Sequence, residues 1–126
     1  MDPIHLFDLA AKQAQWLSTS QSVIANNVSN ANTPGFKAQA VRPFAEILDR
    51  TQLQLVSTNP THLNMSPADQ QAAAIKEDKP WETTDSGNTV SLEQEMIKAG
   101  DVNRNYALNT SIVKAFHGML MASVRS

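Results

Sequence analysis

The side chains that most often perform catalysis or bind metal ions are few and widely separated in this chain. Its 126 residues include three histidines, His5, His62 and His117, and no cysteine. A helical zinc site needs two histidines one turn apart with a glutamate beside them, and these histidines have no such spacing. Without cysteine there are no disulfides, thiolate metal ligands or cysteine nucleophiles. The sequence therefore predicts no metal site and no cofactor.

Other catalytic patterns are also missing from the sequence. It contains no Gly-x-Ser-x-Gly nucleophile motif and no glycine-rich phosphate loop. Glu93 and Glu95 are close together, but they follow Ser91 at the start of a predicted helix, where carboxylates interact favourably with the helix dipole. We therefore predict that the chain has no catalytic residues and is not an enzyme.

The charge balance argues against two classes of partner. Ten basic and twelve acidic residues give a formal net charge of -2, and no segment is dense in Lys or Arg. Binding to nucleic acid requires a basic surface that offsets the phosphate charge, so no nucleic-acid partner is expected. A membrane-surface helix would carry Lys and Arg beside its apolar stripe, but the first predicted helix has only Lys12, so no direct lipid binding is expected.

One functional group, the side-chain amide, is concentrated at a single place. The segment contains four asparagines followed by a turn sequence: Asn26, Asn27, Asn30, Asn32, Thr33, Pro34, Gly35 and Phe36. Asparagine is tolerated at helix C-termini, and Pro-Gly suits the two central positions of a type II turn. The pattern predicts the end of a helix, with amides available to bond neighbouring backbone.

The helix that precedes this motif is long. Apolar or small residues recur at alternating steps of three and four, if Gln21 is included, which predicts a coiled-coil seam. Its positions are Phe7, Ala10, Ala14, Leu17, Gln21, Ile24, Val28 and Ala31. Asp2 is a predicted N-cap, and Pro3 suits the first helical position.

A second long helix is predicted at the other end of the chain. Its heptad positions are Leu92, Met96, Ala99, Asn103, Tyr106, Thr110, Val113, His117, Leu120 and Val124, with Phe116 widening the stripe. Ser91 and Gln94 predict a capping box at its start. Even when the two helices pair, Trp16, Phe116 and Met119 are expected to stay partly exposed, which favours an association surface over an ordinary hairpin covered by the middle of the chain.

These patterns predict a mainly α single domain over residues 1–126. It has an N-terminal helix (1–33), an irregular, proline-containing middle (34–89) and a C-terminal helix (90–126). The two helices are expected to pair as an antiparallel, coiled-coil-like hairpin. Within the middle we predict a short helix at 43–50 and short strands near 62–65 and 81–84.

The asparagine motif resembles the N-terminal signature of the flagellar axial proteins, which runs roughly Asn-Asn-Ile-Ala-Asn-Ala-Asn-Thr-Pro-Gly-Tyr-Lys. Val28, Ser29 and Phe36 are mild departures from it. The segment from Gly87 to Met96 is similar to the start of the family's C-terminal helix, and Tyr106 matches the family's helix tyrosine. A weaker match covers residues 58–63. The short middle resembles the small proximal-rod subunits and not the distal rod or hook proteins, which have a large β-rich middle.

The resemblance implies a structural subunit of the flagellar basal-body rod. Such a protein assembles with itself and other rod proteins into a hollow helical shaft that transmits torque from the membrane ring to the hook. Further implied partners are the adaptor that joins rod to ring and the flagellar type III export apparatus. Export would place the chain in the periplasmic rod without a cleaved signal peptide. The family has two small proximal-rod types, and one of them usually has Tyr-Gln-Ala-Asn after the helix start. The corresponding residues here, Tyr106–Asn109, read Tyr-Ala-Leu-Asn, so the other type fits better. An alternative of another class is a peripheral binding module made of amphipathic helices.

Overall fold

The computed structural model describes residues 3–54 and 74–125. Helix α1 spans Pro3–Ser29, strand β1 Gln39–Val41, helix α2 Phe44–Gln54, strand β2 Ile75–Glu77 and helix α3 Leu92–Arg125. The two long terminal helices and the short helix after Pro43 agree with the sequence prediction. Asp2, the strand predicted near 62–65 and the motif at 58–63 lie outside the described residues.

Helices α1 and α3 pack against each other in antiparallel orientation. Near the start of α1, the ring of Phe7 meets that of Phe116 edge-on, with ring centroids 5.6 Å apart. One turn further along α1, the Asn109 side chain donates a hydrogen bond of 3.2 Å to the Ala10 carbonyl. Later α1 residues, such as Ser20, line a groove together with Val102. Residues later in α1 therefore contact residues earlier in α3, which is the antiparallel arrangement predicted for a hairpin.

The buried face of each helix differs from the predicted seam by one residue at alternate positions. In α1, Ser20 and Asn27 are buried, whereas the predicted neighbours Gln21 and Val28 are exposed. A shift of one residue rotates the buried face by about 100° at that position. The positions Ala10 and Leu17 are buried as predicted, and Ala14 and Ile24 are half-buried.

Helix α3 shows the same shift. Val102 and Asn109 are buried, and Phe116 is half-buried. Each of them lies directly before a residue that the heptad pattern placed on the seam but that is exposed in the structure. Those exposed residues are Asn103, Thr110 and His117. The reason is that Asn27 and Asn109 are buried through hydrogen bonds to backbone, and a pattern of apolar residues cannot identify such positions.

The two strands form a small antiparallel ribbon, with Gln39 opposite Glu77 and Val41 opposite Ile75. The strand predicted near 81–84 is wrong, because those residues form a bend and irregular backbone. The ribbon is attached to α1 through Trp16, whose indole N–H donates a 2.8 Å hydrogen bond to the Arg42 carbonyl. The Trp16 ring also packs against Phe44 at the start of α2.

Large apolar side chains are fully buried at only a few described positions. The buried apolar residues are Ala10, Leu17, Val23, Ala38, Val90 and Val102. Many others on α3 remain exposed, and Val124 has the largest exposed fraction at 83%. Even so, no helix in the described part of the chain combines the length and hydropathy needed to cross a membrane.

Candidate functional site

The asparagine motif forms the end of α1 and a tight turn. The backbone N–H of Asn30 donates to the carbonyls of Asn26 and Asn27, at 3.2 and 3.1 Å, and so closes the last helical turn. A second turn follows, in which the Phe36 N–H donates to the Thr33 carbonyl at 3.2 Å. Gly35 has φ of 72°, the left-handed conformation that the third position of a type II turn requires. The predicted turn is therefore present.

Asn27 connects the end of α1 to strand β1. Its side-chain N–H donates to the Gln39 carbonyl at 2.7 Å, and its side-chain oxygen accepts from the Gln39 N–H at 3.0 Å. The amide thereby satisfies both polar backbone groups of one strand residue, as a neighbouring strand would. Asn27 is completely buried, so this pairing is shielded from water.

Asn88 makes the corresponding link from the segment before α3. Its side-chain N–H groups donate to the carbonyls of Asn30 and Thr33, both at 2.8 Å. Its side-chain oxygen accepts from the Val90 N–H at 2.8 Å. These contacts bring together residues that are 55 and 58 positions apart in sequence. Asn88 thus holds the start of the C-terminal helix against the end of the N-terminal helix.

Backbone contacts complete this link. The Gly35 N–H donates to the Ser86 carbonyl at 2.8 Å, and the Thr89 N–H donates to the Phe36 carbonyl at 3.0 Å. The Gly87 backbone also approaches Gly35 closely, since a Cβ atom on Gly87 would lie 3.6 Å from the Gly35 Cα. We call residues 27–39 together with residues 84–91 the interhelical junction.

The exposed part of the junction consists of side chains that make few internal contacts. Asn32, Thr33, Pro34 and Gly35 are exposed, whereas Asn30 and Phe36 are half-buried. Asn26, which directly precedes the junction, is exposed as well. Lys37 is exposed too, and its ammonium donates to the Gly87 carbonyl at 3.2 Å. The junction thus has a buried half that joins two helices and an exposed half whose amides and turn are available to another molecule.

The first turn of α3 is tied to the ribbon by a buried ionic group. The Lys98 ammonium contacts the carboxylates of both Asp78 and Glu95, the second at 3.1 Å. Glu95 is buried, and its other carboxylate oxygen has no hydrogen-bond partner. The predicted capping box is only half formed. The Gln94 N–H bonds to the Ser91 hydroxyl at 3.4 Å, but the Gln94 side chain bonds to Asp78 and to the Lys79 carbonyl, and not back to Ser91.

The residues predicted to pack helices fall into three groups. Leu17 is fully buried, and a second group is half-buried: Phe7, Ala14, Ile24, Val113, Phe116 and Leu120. A third group is exposed in the single chain: Val28, Leu92, Met96, Tyr106 and Val124. Only the first two groups contribute to burial within one chain, so an assembly role for the third group stays a prediction.

Sequence reasoning missed several residues that build the junction. Gln39, Asn88 and Thr89 were not assigned to a site, although Asn88 and Thr89 directly follow Gly87 in the second family-like segment. A Gly-Asn-Thr sequence before a capped helix is a signal that could have drawn attention to them. No sequence feature marks Gln39, because only its backbone groups take part in the junction.

Comparison with known proteins gives a consistent result. The family described as "Flagella basal body rod protein" matches residues 10–37, which cover most of α1 and the asparagine motif. A protein of Agrobacterium fabrum named flagellar basal body rod protein FlgB is 44% identical over 99% of this chain and 96% of its own length. The FlgB of Proteus mirabilis strain HI4320 is 29% identical over 81% of this chain and 80% of its own length. The FlgB of Bacillus subtilis is 30% identical over 68% of this chain and 67% of its own length.

The helical hairpin and its junction define a structural helical subunit. The full-length likeness is more specific, and the chain belongs to the flagellar basal body rod protein family. It is a structural component of the basal body rod and interacts with other rod proteins. Each of these three relatives carries the name FlgB. This favours the FlgB type over the other small proximal-rod type, FlgC, which usually has Tyr-Gln-Ala-Asn after the helix start.

Proposed function

We propose that the chain is a structural subunit of the proximal rod, and that it acts by assembly and not by catalysis. The observation that carries the proposal is that the likeness to rod proteins extends over nearly the whole chain. The junction adds a physical argument, because it joins the parts of the chain with family-like sequence into one hydrogen-bonded unit.

The hairpin suits a subunit of a helical shaft. The terminal helices supply long surfaces along one axis, and the junction fixes their relative position at one end. Apolar side chains remain exposed on α3, and neighbouring subunits would cover them in the rod. Contacts between two different faces of a subunit generate a helical array and not a closed dimer. A rigid helix pair in such an array transmits torque from the membrane ring towards the hook.

The proposal includes the route and the neighbours of the chain. The flagellar type III apparatus exports it without cleavage of a signal peptide, and it assembles in the periplasmic part of the rod. Its neighbours are other copies, other rod proteins and the adaptor that joins the rod to the membrane ring. A chain without cysteine forms no disulfides that would have to be broken before export.

Deletion of the gene and complementation test the proposal. We expect the deletion strain to be non-motile, and electron micrographs of its basal bodies to show membrane rings without rods. The wild-type gene supplied in trans should restore both rods and swimming. Normal rods in the deletion strain would contradict the proposal. Mass spectrometry of the protein from purified basal bodies tests export, and we expect an N-terminus from which no leader peptide has been removed.

One observation favours a second function, the binding of a membrane surface. The exposed apolar residues of α3 are accompanied by Arg104, Lys114 and Arg125, which could contact anionic lipid headgroups. Flotation of the purified chain with anionic liposomes separates the two functions. A rod subunit should stay in the unbound fraction, whereas robust flotation would support the peripheral binding module.

A further inference from the structure

The contact between the two long helices is uneven along its length. At one end Asn109 bonds to the Ala10 carbonyl, next to the contact between the rings of two phenylalanines. At the other end the interhelical junction joins the chain by several hydrogen bonds. Ser20 lies between these ends, ten residues after Ala10 and nine before the last residue of α1, which is about 15 Å and 14 Å along the helix. The middle of the helix pair therefore depends on the contacts around Ser20.

The hydroxyl of Ser20 is a buried polar group without a partner. Ser20 is buried, and its hydroxyl oxygen makes no hydrogen bond within the part of the chain that the structure describes. Other hydroxyls of the same helix bond four residues back: Thr19 donates to the Gln15 carbonyl at 3.0 Å, and Ser22 to the Ser18 carbonyl at 3.2 Å. A buried hydroxyl that has lost its water without gaining another partner lowers the stability of the folded state.

A groove beside Ser20 leaves the middle of the helix pair loosely packed. It has a volume of about 250 Å³ and lies where α1, β1 and α3 meet, with Trp16, Val23, Ala40 and Val102 among its lining residues. Protein interiors normally leave few spaces larger than a water molecule. The apolar side chains around the groove therefore lack part of the van der Waals contacts that they would make in a filled core.

A second unpaired polar atom lies on α3, closer to the junction. Glu95 is buried, and one of its carboxylate oxygens has no hydrogen-bond partner, although the other contacts the Lys98 ammonium at 3.1 Å. Seven residues, about 10 Å along the helix, separate Glu95 from Val102 in the groove wall. The Ser20 hydroxyl, the groove and the Glu95 carboxylate thus all lie between the two bonded ends, and we call this stretch of the helix pair the weak section.

We infer that the weak section keeps the free chain easy to unfold before export, and that Ser20 is the residue that sets this property. A chain that passes through an export channel end first must separate its terminal helices, because they lie at opposite ends of the sequence. The unpaired hydroxyl and the groove lower the free energy needed to separate them, while the bonded ends still define the fold. The inference rests on the proposed rod function, to which it adds a residue that controls unfolding before export.

Ser20→Ala tests the effect on stability, and Ser22→Ala is its matched control. Both variants replace a serine of α1 by alanine and so gain the same helix propensity. Only Ser20 is buried and unpaired, whereas Ser22 is exposed and bonded. In urea unfolding of the purified full chain, we expect the midpoint of Ser20→Ala to exceed that of Ser22→Ala by about 0.5 M or more. Equal midpoints would overturn the inference.

The effect on export is measured in the deletion strain that carries each variant. After pulse labelling, the fraction of the chain that added protease can reach in spheroplasts is followed over time. We expect Ser20→Ala to be exported about two- to fivefold more slowly than Ser22→Ala, because its opened form is less populated. Adding Val23→Ala, which removes part of a buried side chain beside the groove, should return both the urea midpoint and the export rate towards those of the wild-type chain.

The outcomes separate this inference from the proposed function. A stabilised Ser20→Ala chain that is exported at the wild-type rate would overturn the inference and leave the rod function intact. Slow export that persists after Val23→Ala has restored the midpoint would also overturn it, because stability would then not be the cause. Exported Ser20→Ala chains that build no rods would show that the hydroxyl contacts a neighbour in the rod, which again overturns it. Failure of the wild-type chain to enter rods would instead remove the proposed function.

Discussion

Asn27 and Asn88 each satisfy, with one side chain, backbone groups that a neighbouring strand or helix would otherwise satisfy. Each amide pairs with backbone groups of a distant segment, and both residues are buried. Removing such an amide leaves buried backbone groups without partners, which costs free energy comparable to their desolvation. The abundance of asparagine in the motif thus has two causes, because Asn27 joins segments inside the chain while Asn26 and Asn32 face outwards.

We predict that Asn27→Ala lowers the free energy of unfolding by about 1–3 kcal/mol, because the Gln39 N–H and carbonyl lose their partners. Asn26→Ala is the matched control, since it removes an exposed asparagine from the adjacent position. Its effect should stay within about 0.5 kcal/mol. Urea unfolding of the purified variants, followed by circular dichroism, measures the difference. Similar midpoints for both variants would contradict the role of Asn27.

We predict that Gly35→Val abolishes rod assembly, because Gly35 adopts a φ of 72° that a β-branched residue rarely adopts. A Cβ atom at this position would meet no other atom within 4 Å, so the cost comes from backbone conformation and not from a clash. Gly35→Asn should keep most function, because asparagine tolerates the left-handed region. Swimming in soft agar compares the two variants, and normal motility with Gly35→Val would exclude a need for the turn.

At the scale of helices and strands, the apolar spacing predicted the existence of α1 and α3 and their antiparallel pairing, whereas the capping and turn residues placed the helix ends to within a few residues. It failed for alternate seam positions, because Asn27 and Asn109 are buried by hydrogen bonds to backbone that is distant in sequence. The ribbon also could not be predicted at its actual place. Strands of three residues with mixed sequences, Gln-Ala-Val and Ile-Lys-Glu, have too little periodicity to be recognised.

Leu17 and Val28 provide a test of the corrected helix face. Leu17 has no exposed surface, whereas 46% of Val28 is exposed. We predict that Leu17→Ala costs about 2–5 kcal/mol and reduces the helical signal of the free chain strongly. Val28→Ala should change the free energy of unfolding by no more than about 0.5 kcal/mol. A larger loss for Val28→Ala in urea unfolding would restore the original heptad assignment.

Lys98 provides a second test at this scale, because it neutralises two carboxylates where α3 meets the ribbon. Removing one partner of a buried ion pair leaves an uncompensated charge and commonly costs about 3–5 kcal/mol. We predict a loss towards the lower end for Lys98→Met, because about a quarter of the Lys98 side chain (26%) is exposed. The double variant Lys98→Met with Glu95→Gln should recover part of the loss in thermal unfolding. No recovery would show that Glu95 and Lys98 act independently.

At the scale of the whole molecule, the small number of fully buried apolar residues in the part of the chain that the structure describes implies low stability of the free chain. Native domains are usually stable by about 5–15 kcal/mol, and we predict that this chain lies at or below the lower limit. Urea unfolding of the dilute protein should show a low midpoint, and its helical signal should increase in the assembled rod. A free chain with a steep transition and a stability near 10 kcal/mol would contradict this expectation, because assembly would then have little to add.

The junction also has a consequence for what the polypeptide tolerates between its helices. Gly35 bonds to Ser86, and Phe36 bonds to Thr89, so the chain leaves the hairpin and returns to it at the same place. The ribbon inside that stretch is also held to the long helices, by Trp16 and by Lys98, so the part whose length can change at little cost is the connection between α2 and β2. Lengthening a flexible loop costs only about 0.6 kcal/mol for each doubling. A folded domain with neighbouring termini could therefore be inserted into that connection while the helices and the ribbon keep their contacts.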